Sequence, residues 1–131
     1  MRLRHLALAS TALVAAGCVR TRSNVARLTQ TATLEVRNSY IAPVDIYVQR
    51  DQGGSEFRIG QVYANRTQQF SLDGQIIGGM PNLVFIAVPA STQARPSMGR
   101  AIAAPIVIRP MDLVRFNITT DLRSSTAFLV R

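Results

Sequence analysis

Alternation of apolar and polar residues runs through the chain from residue 32 onward, and few folds accommodate it. Leu34 and Val36 alternate with Glu35 and Arg37, and Val44, Ile46 and Val48 with Asp45, Tyr47 and Gln49. Val114, Phe116 and Ile118 alternate in the same way with Arg115 and Asn117. Successive side chains of a strand point to opposite faces, so each segment predicts a strand with one buried and one solvated face. Turn formers separate the segments: Asn38-Ser39, the run 51–55 (Asp-Gln-Gly-Gly-Ser), Asn65-Arg66, Asp73-Gly74, Gly78-Gly79 and Pro110-Met111-Asp112. Residues 83–88, Leu-Val-Phe-Ile-Ala-Val, are continuously apolar, as a central strand buried on both faces requires. Further strands are expected over 57–62, with Gly60 at a bulge or kink, and over 70–72, 105–109 and 127–130. No apolar pattern of helical period exceeds about one turn. The expected fold is therefore all-β: a two-layer antiparallel β-sandwich, Ig-like in broad architecture, of seven to eight short strands over 32–131. A small barrel is the alternative.

The first 31 residues follow different rules. Arg2, Arg4 and His5 precede an eleven-residue apolar run, 6–16, broken only by Ser10 and Thr11. That run is far short of the ~20 residues needed to cross a bilayer. With the small residues Ala15-Ala16-Gly17 at its end, the run reads as an export signal over 1–17. Residues 18–31 then read as a polar tether carrying Arg20, Arg22 and Arg27. The thirteen residues after Cys18 reach at most ~45 Å when extended. Arginines so close to a membrane attract anionic head groups.

The segment Leu13-Val14-Ala15-Ala16-Gly17-Cys18 resembles the lipobox of bacterial lipoproteins. The resemblance implies lipid on the Cys18 thiol, cleavage before it and acylation of the new amino group. It also implies a chain anchored to a membrane, with Val19 favouring the outer membrane and a periplasmic or surface face. Several acyl chains hold a protein stably where one does not. The body, through Val44-Asp45-Ile46-Tyr47-Val48, Phe57-Arg58-Ile59-Gly60-Gln61-Val62 and Phe70-Ser71-Leu72, resembles a group of short bacterial lipoproteins. That group brings no known activity, so the resemblance bears on fold alone.

Chemistry is constrained mainly by what the chain lacks. His5 is the only histidine, Cys18 the only cysteine, and there is no lysine. Beyond residue 18 this removes Ser-His-Asp and Cys-His nucleophilic mechanisms, lysine Schiff bases and the usual zinc or copper donor sets. Seven acids remain: Glu35, Asp45, Asp51, Glu56, Asp73, Asp112 and Asp121. Asp51, Asp73 and Asp112 fall at turns, where Asp has a backbone-bonding reason to be. The chain is expected to be non-catalytic and without cofactor or metal.

The basic residues are all arginine, 13 of them from Cys18 onward against 7 acids, a net charge of +6. Such a surplus favours anionic partners, but the absence of a recognition motif and the low aromatic content argue against nucleic acid. Two places are candidate binding surfaces. One is the long loop 89–100 with Arg95, Met98 and Arg100; the other is a basic sheet face from Arg37, Arg58 and Arg115, provided that their strands are neighbours. The expected role is a membrane-tethered binding or scaffolding module at the cell envelope, its partner an envelope protein. The alternative is a binder of anionic envelope polymers or lipopolysaccharide through arginines.

Overall fold

The computed structural model describes residues 30–51, 53–79, 81–90 and 99–131. The signal segment, Cys18, most of the tether, Arg95 and Met98 lie outside the described residues. Among the described residues nine strands occur in chain order: β1 (Ala32–Asn38), β2 (Val44–Arg50), β3 (Phe57–Val62), β4 (Arg66–Leu72), β5 (Asn82–Pro89), β6 (Ala101–Ile102), β7 (Ile106–Val107), β8 (Leu113–Ile118) and β9 (Thr126–Val130). One short helix, α1 (Gly74–Ile77), lies between β4 and β5. Asp73 caps it, its Oδ1 accepting from the amides of Gln75 and Ile76.

The strands form two sheets, one ordered β4-β1-β8-β9 and the other β3-β2-β5-β6, with β7 on the same free edge of β5 as β6. Two features differ from the sequence-based expectation. The sheets are not wholly antiparallel: β1 and β8 run parallel, with Leu34 opposite Val114 and Val36 opposite Phe116. The cause lies at the strand starts, where the Thr33 amide donates to the Asp112 carbonyl (2.9 Å) and the Met111 amide to the Thr31 carbonyl (2.8 Å). The turn over 109–112 thus delivers β8 beside the entry to β1, and both leave in the same direction. Asp112 closes that turn by accepting from the Arg109 amide at 2.8 Å. The second difference is the number of strands. The strand expected over 105–109 is only the dipeptide β7, and a further dipeptide, β6, precedes it; Pro105 between them has no amide to offer the ladder.

The alternation does what it predicts. Leu34, Val36, Val114, Phe116 and Ile118 from one sheet face Val44, Ile46, Val48, Leu83, Phe85 and Ala87 from the other, all buried in one core. Phe85 and Phe116 meet across the two sheets with ring centroids 6.1 Å apart. The register of β2 against β3 shifts between Ile46 and Tyr47, so that Gly60 pairs with Ile46 and Arg58 with Tyr47, leaving Ile59 as the extra residue of a bulge. A Cβ on Gly60 would stand 2.5 Å from Cε1 of Phe70 in the opposite sheet. Only glycine allows that approach. Phe57 is a further exception: it pairs with Val48 but lies at the free edge of β3 and is 55% exposed.

Candidate functional site

The outer face of the β4-β1-β8-β9 sheet carries the candidate site. Its geometry follows from register. On β1, Glu35 lies between Gln69 of β4 and Arg115 of β8; two residues on, Arg37 lies between Thr67 and Asn117. Because the side-chain period is two, all six project from the solvated face. Arg115 Nε donates to Glu35 Oε1 at 2.6 Å and Gln69 Nε2 to Glu35 Oε2 at 3.2 Å. These two bonds, that from Arg115 foremost, hold the Glu35 carboxyl below its ordinary range. The ion pair in turn ties the Arg115 guanidinium to β1.

At the end of this face, where β1 and β8 finish and β4 begins, a depression of about 490 Å³ opens. Its lining includes Arg37, Arg66, Arg115, Asn65, Asn117 and the acidic Glu35. Among the described residues neither Arg37 nor Arg66 has a carboxylate within 4 Å, so three guanidinium groups stand against one carboxylate, a local charge of +2. Oδ1 of Asn117 is buried without a hydrogen-bond partner, alone in this among side-chain polar atoms of the described residues. Buried acceptors are nearly always met, so an unmet one is uncommon in a folded domain.

Asn38 secures the rim. It is 1% exposed, and its Nδ2 donates to the carbonyls of Ala42 (3.0 Å), Val62 (3.2 Å) and Tyr63 (3.2 Å), while its Oδ1 accepts from the Tyr40 amide at 2.9 Å. One amide thereby ties the end of β1 to the β3–β4 turn, which presents Asn65 and Arg66. Asn65 holds that turn with φ of 55°, a left-handed conformation that Asn tolerates better than most residues.

Arg37 and Arg115 are neighbours on one sheet face, as the basic-face expectation requires. Arg58 is not with them. It belongs to β3 in the other sheet and pairs with Asp45 at 2.6 Å. Arg100, from the loop expected to make contacts, is paired with Glu56 at 2.8 Å. Arg66, Asn65 and Asn117 were not expected as site residues. Asn117 shares the Arg115 face in the sequence pattern, but nothing local in the sequence shows that β8 lies beside β1.

The acids are largely occupied in structural roles. Besides Glu35, Asp45, Glu56, Asp73 and Asp112, Asp121 accepts from the hydroxyls of Thr119 (2.6 Å) and Ser124 (2.7 Å) and from the Ser124 amide (3.2 Å). Those bonds lower its carboxyl to about 2. Among the described residues no three His, Cys, Asp or Glu side chains gather as a metal ion would require.

These features define an all-β protein of two packed sheets with a basic, polar depression on one outer face. No protein-family model matches the chain, and no curated protein matches it. Among solved structures it is similar to an NMR structure of a protein from Eubacterium rectale, with a TM-score of 0.47 and 14% identity, over 79% of this chain and 91% of that one.

Proposed function

We propose that the chain is a non-catalytic binding module, held at the bacterial cell envelope by lipid on Cys18, which recognises an anionic envelope component through Arg37, Arg66 and Arg115. One observation carries the reading: three guanidinium groups and one carboxylate converge on a single concave site. Arginine offers planar, paired donors that suit phosphate and carboxylate, and a cluster held by a sheet is already organised before the ligand arrives. The lipid would place this face at the membrane, in the outer membrane by our reading, within reach of lipopolysaccharide and other anionic polymers. We also read the sandwich as Ig-like in broad architecture, since the chain changes sheets between β1 and β2, β3 and β4, β4 and β5, and β7 and β8.

Binding of anionic envelope polymer should weaken steeply as salt rises and be lost in Arg37→Ala/Arg66→Ala. Binding indifferent to both would remove the arginines from the function. A second observation favours a protein partner instead. The β9 edge, Thr-Ala-Phe-Leu-Val, has no charge of its own, whereas the β4 and β3 edges carry Arg66 and Arg58. An uncharged edge suits strand addition by an envelope protein. Salt-resistant capture that is blocked by Ala127→Pro, with Arg37→Ala/Arg66→Ala silent, would select that reading. For the anchor, intact mass of the membrane-extracted protein should show acyl groups on a chain beginning at Cys18.

A further inference from the structure

We infer that the turn between β7 and β8 is a second point of attachment to the membrane, with Met111 entering the lipid surface. The inference rests on the lipid anchor proposed above and concerns the end of the sandwich away from the arginine depression.

Three non-glycine residues among those described have a left-handed backbone: Asn65, Met111 and Leu122. Two have a reason inside the fold. Asparagine tolerates the conformation, and Leu122 packs its side chain in the core at 3% exposure. Met111 has no such reason. Its φ is 71° and it is 90% exposed, more than any other large apolar residue described. Glycine would hold the turn without strain, so what the methionine offers lies outside the fold.

The turn is well held and stands where the tether enters. Ile108 before it and Val114 after it are wholly buried. The Asp112 amide donates to the Arg109 carbonyl at 3.2 Å, and the Asp112 carboxylate accepts from the Arg109 amide at 2.8 Å. The Met111 amide donates to the Thr31 carbonyl at 2.8 Å, which ties it to the chain arriving from Cys18. Only thirteen residues, 19–31, follow Cys18 to that bond, a reach of at most ~45 Å. A lipidated Cys18 therefore confines Met111 to a thin layer above the bilayer, at high effective concentration.

The chemistry of the turn suits that surface. Methionine is unbranched and adaptable, and fits among lipid chains without a preformed partner. Arg109 is exposed and, among the described residues, has no carboxylate within 4 Å. Its long side chain can lay its stem on the lipid and its guanidinium on phosphate. Asp112, the acid of the turn, is occupied by the Arg109 amide. From this end the seven residues of β1 run about 20 Å to the arginine depression. Resting on Met111, the outer sheet face stands upright on the bilayer with the depression open at its far end.

The test uses the full lipidated chain in vesicles of equal parts phosphatidylethanolamine and phosphatidylglycerol. Cys18 is the only cysteine and carries the lipid, so Met111→Cys and Ile41→Cys each provide one thiol for an environment-sensitive fluorophore. Ile41, 85% exposed in the β1–β2 connection at the other end, is the control for insertion by the label itself. In vesicles the label at 111 should shift to the blue, be quenched by brominated lipid and lose quenching by aqueous iodide several-fold. The label at 41 should stay open to iodide. Arg109→Glu in the Met111→Cys chain should restore part of the iodide quenching, and no change would remove Arg109 from the contact. Equal iodide quenching at 111 and 41, in a chain that floats with the vesicles, would overturn the contact and leave the anchor intact. A chain that does not float would overturn the anchor, and the contact with it.

Discussion

Replacing Asn38 by Ala should be among the most damaging single changes on the site side of the sandwich. The side chain is buried, its Nδ2 serves three carbonyls at 3.0–3.2 Å, and its Oδ1 serves the Tyr40 amide. Alanine offers none of these, and there is little room for water beside Val62, itself wholly buried. A buried polar group left unmet costs roughly 1–3 kcal/mol. With two or three such groups stranded and some relaxation, the loss should be about 3 kcal/mol. For a domain of this size that is roughly 12–20 °C in melting temperature. Urea unfolding followed by circular dichroism measures it, with the midpoint expected to fall by about 2 M. Asn38→Asp supplies a control of the same shape. Its carboxylate would face three carbonyl oxygens, so the group is favoured protonated in the fold, and the stability it retains at low pH should drain away as pH rises through the carboxylate range. A loss below about 1 kcal/mol for Asn38→Ala would refute the reasoning. So would an Asn38→Asp variant indifferent to pH.

Other expectations follow from single contacts. Gly60→Ala sets a methyl group against the Phe70 ring and should cost about 2 kcal/mol by the same unfolding assay, with Phe70→Leu partly restoring it. Met111 has φ of 71° and is 90% exposed, so Met111→Gly should relieve left-handed strain and raise stability by about 1 kcal/mol. Asp121 and Glu35 both have carboxyls lowered in the fold, Asp121 to about 2. Their stabilisation is therefore complete above the ordinary carboxylate range and lost as pH falls toward 2. Melting temperature should drop across that window, and Asp121→Asn should flatten the drop.

The fold was legible where neighbours in sequence decide it. The apolar members of 34–36, 44–48 and 114–118 are the core, and Asp51, Gly53 and residues 110–111 lie in turns, because alternation and turn chemistry are local properties. Asp73 and Asp112 have the backbone-bonding roles that their turn positions predict. The helix α1 was missed because one turn is too short for its period to show in the pattern Gly-Gln-Ile-Ile. The parallel pairing of β1 with β8 was missed for a different reason. It depends on where the 109–112 turn is anchored, and that anchor is the backbone of Thr31 and Thr33, nearly eighty residues earlier.

That non-local pairing is also what hides the site, and here fold and function are not independent. Glu35 and Arg115, 80 residues apart, are opposite one another only in the observed register, and the same register sets Arg37 beside Asn117. Slide β8 by one residue and its apolar set turns to solvent, which the core forbids. Slide it by two and Arg37 meets Arg115 directly, while Glu35 faces Leu113. The core tolerates that second slip better than the first, so the charges on the outer face are what oppose it: one attractive pair is exchanged for a like-charge contact. The Glu35–Arg115 pair thus selects the register that brings the three arginines around one cavity. Its removal is informative for that reason. Glu35→Gln raises the local charge to +3 and should strengthen binding of a phosphate if Glu35 only tunes the charge. If the ion pair sets the register, the same change should weaken binding and broaden the amide resonances of β8.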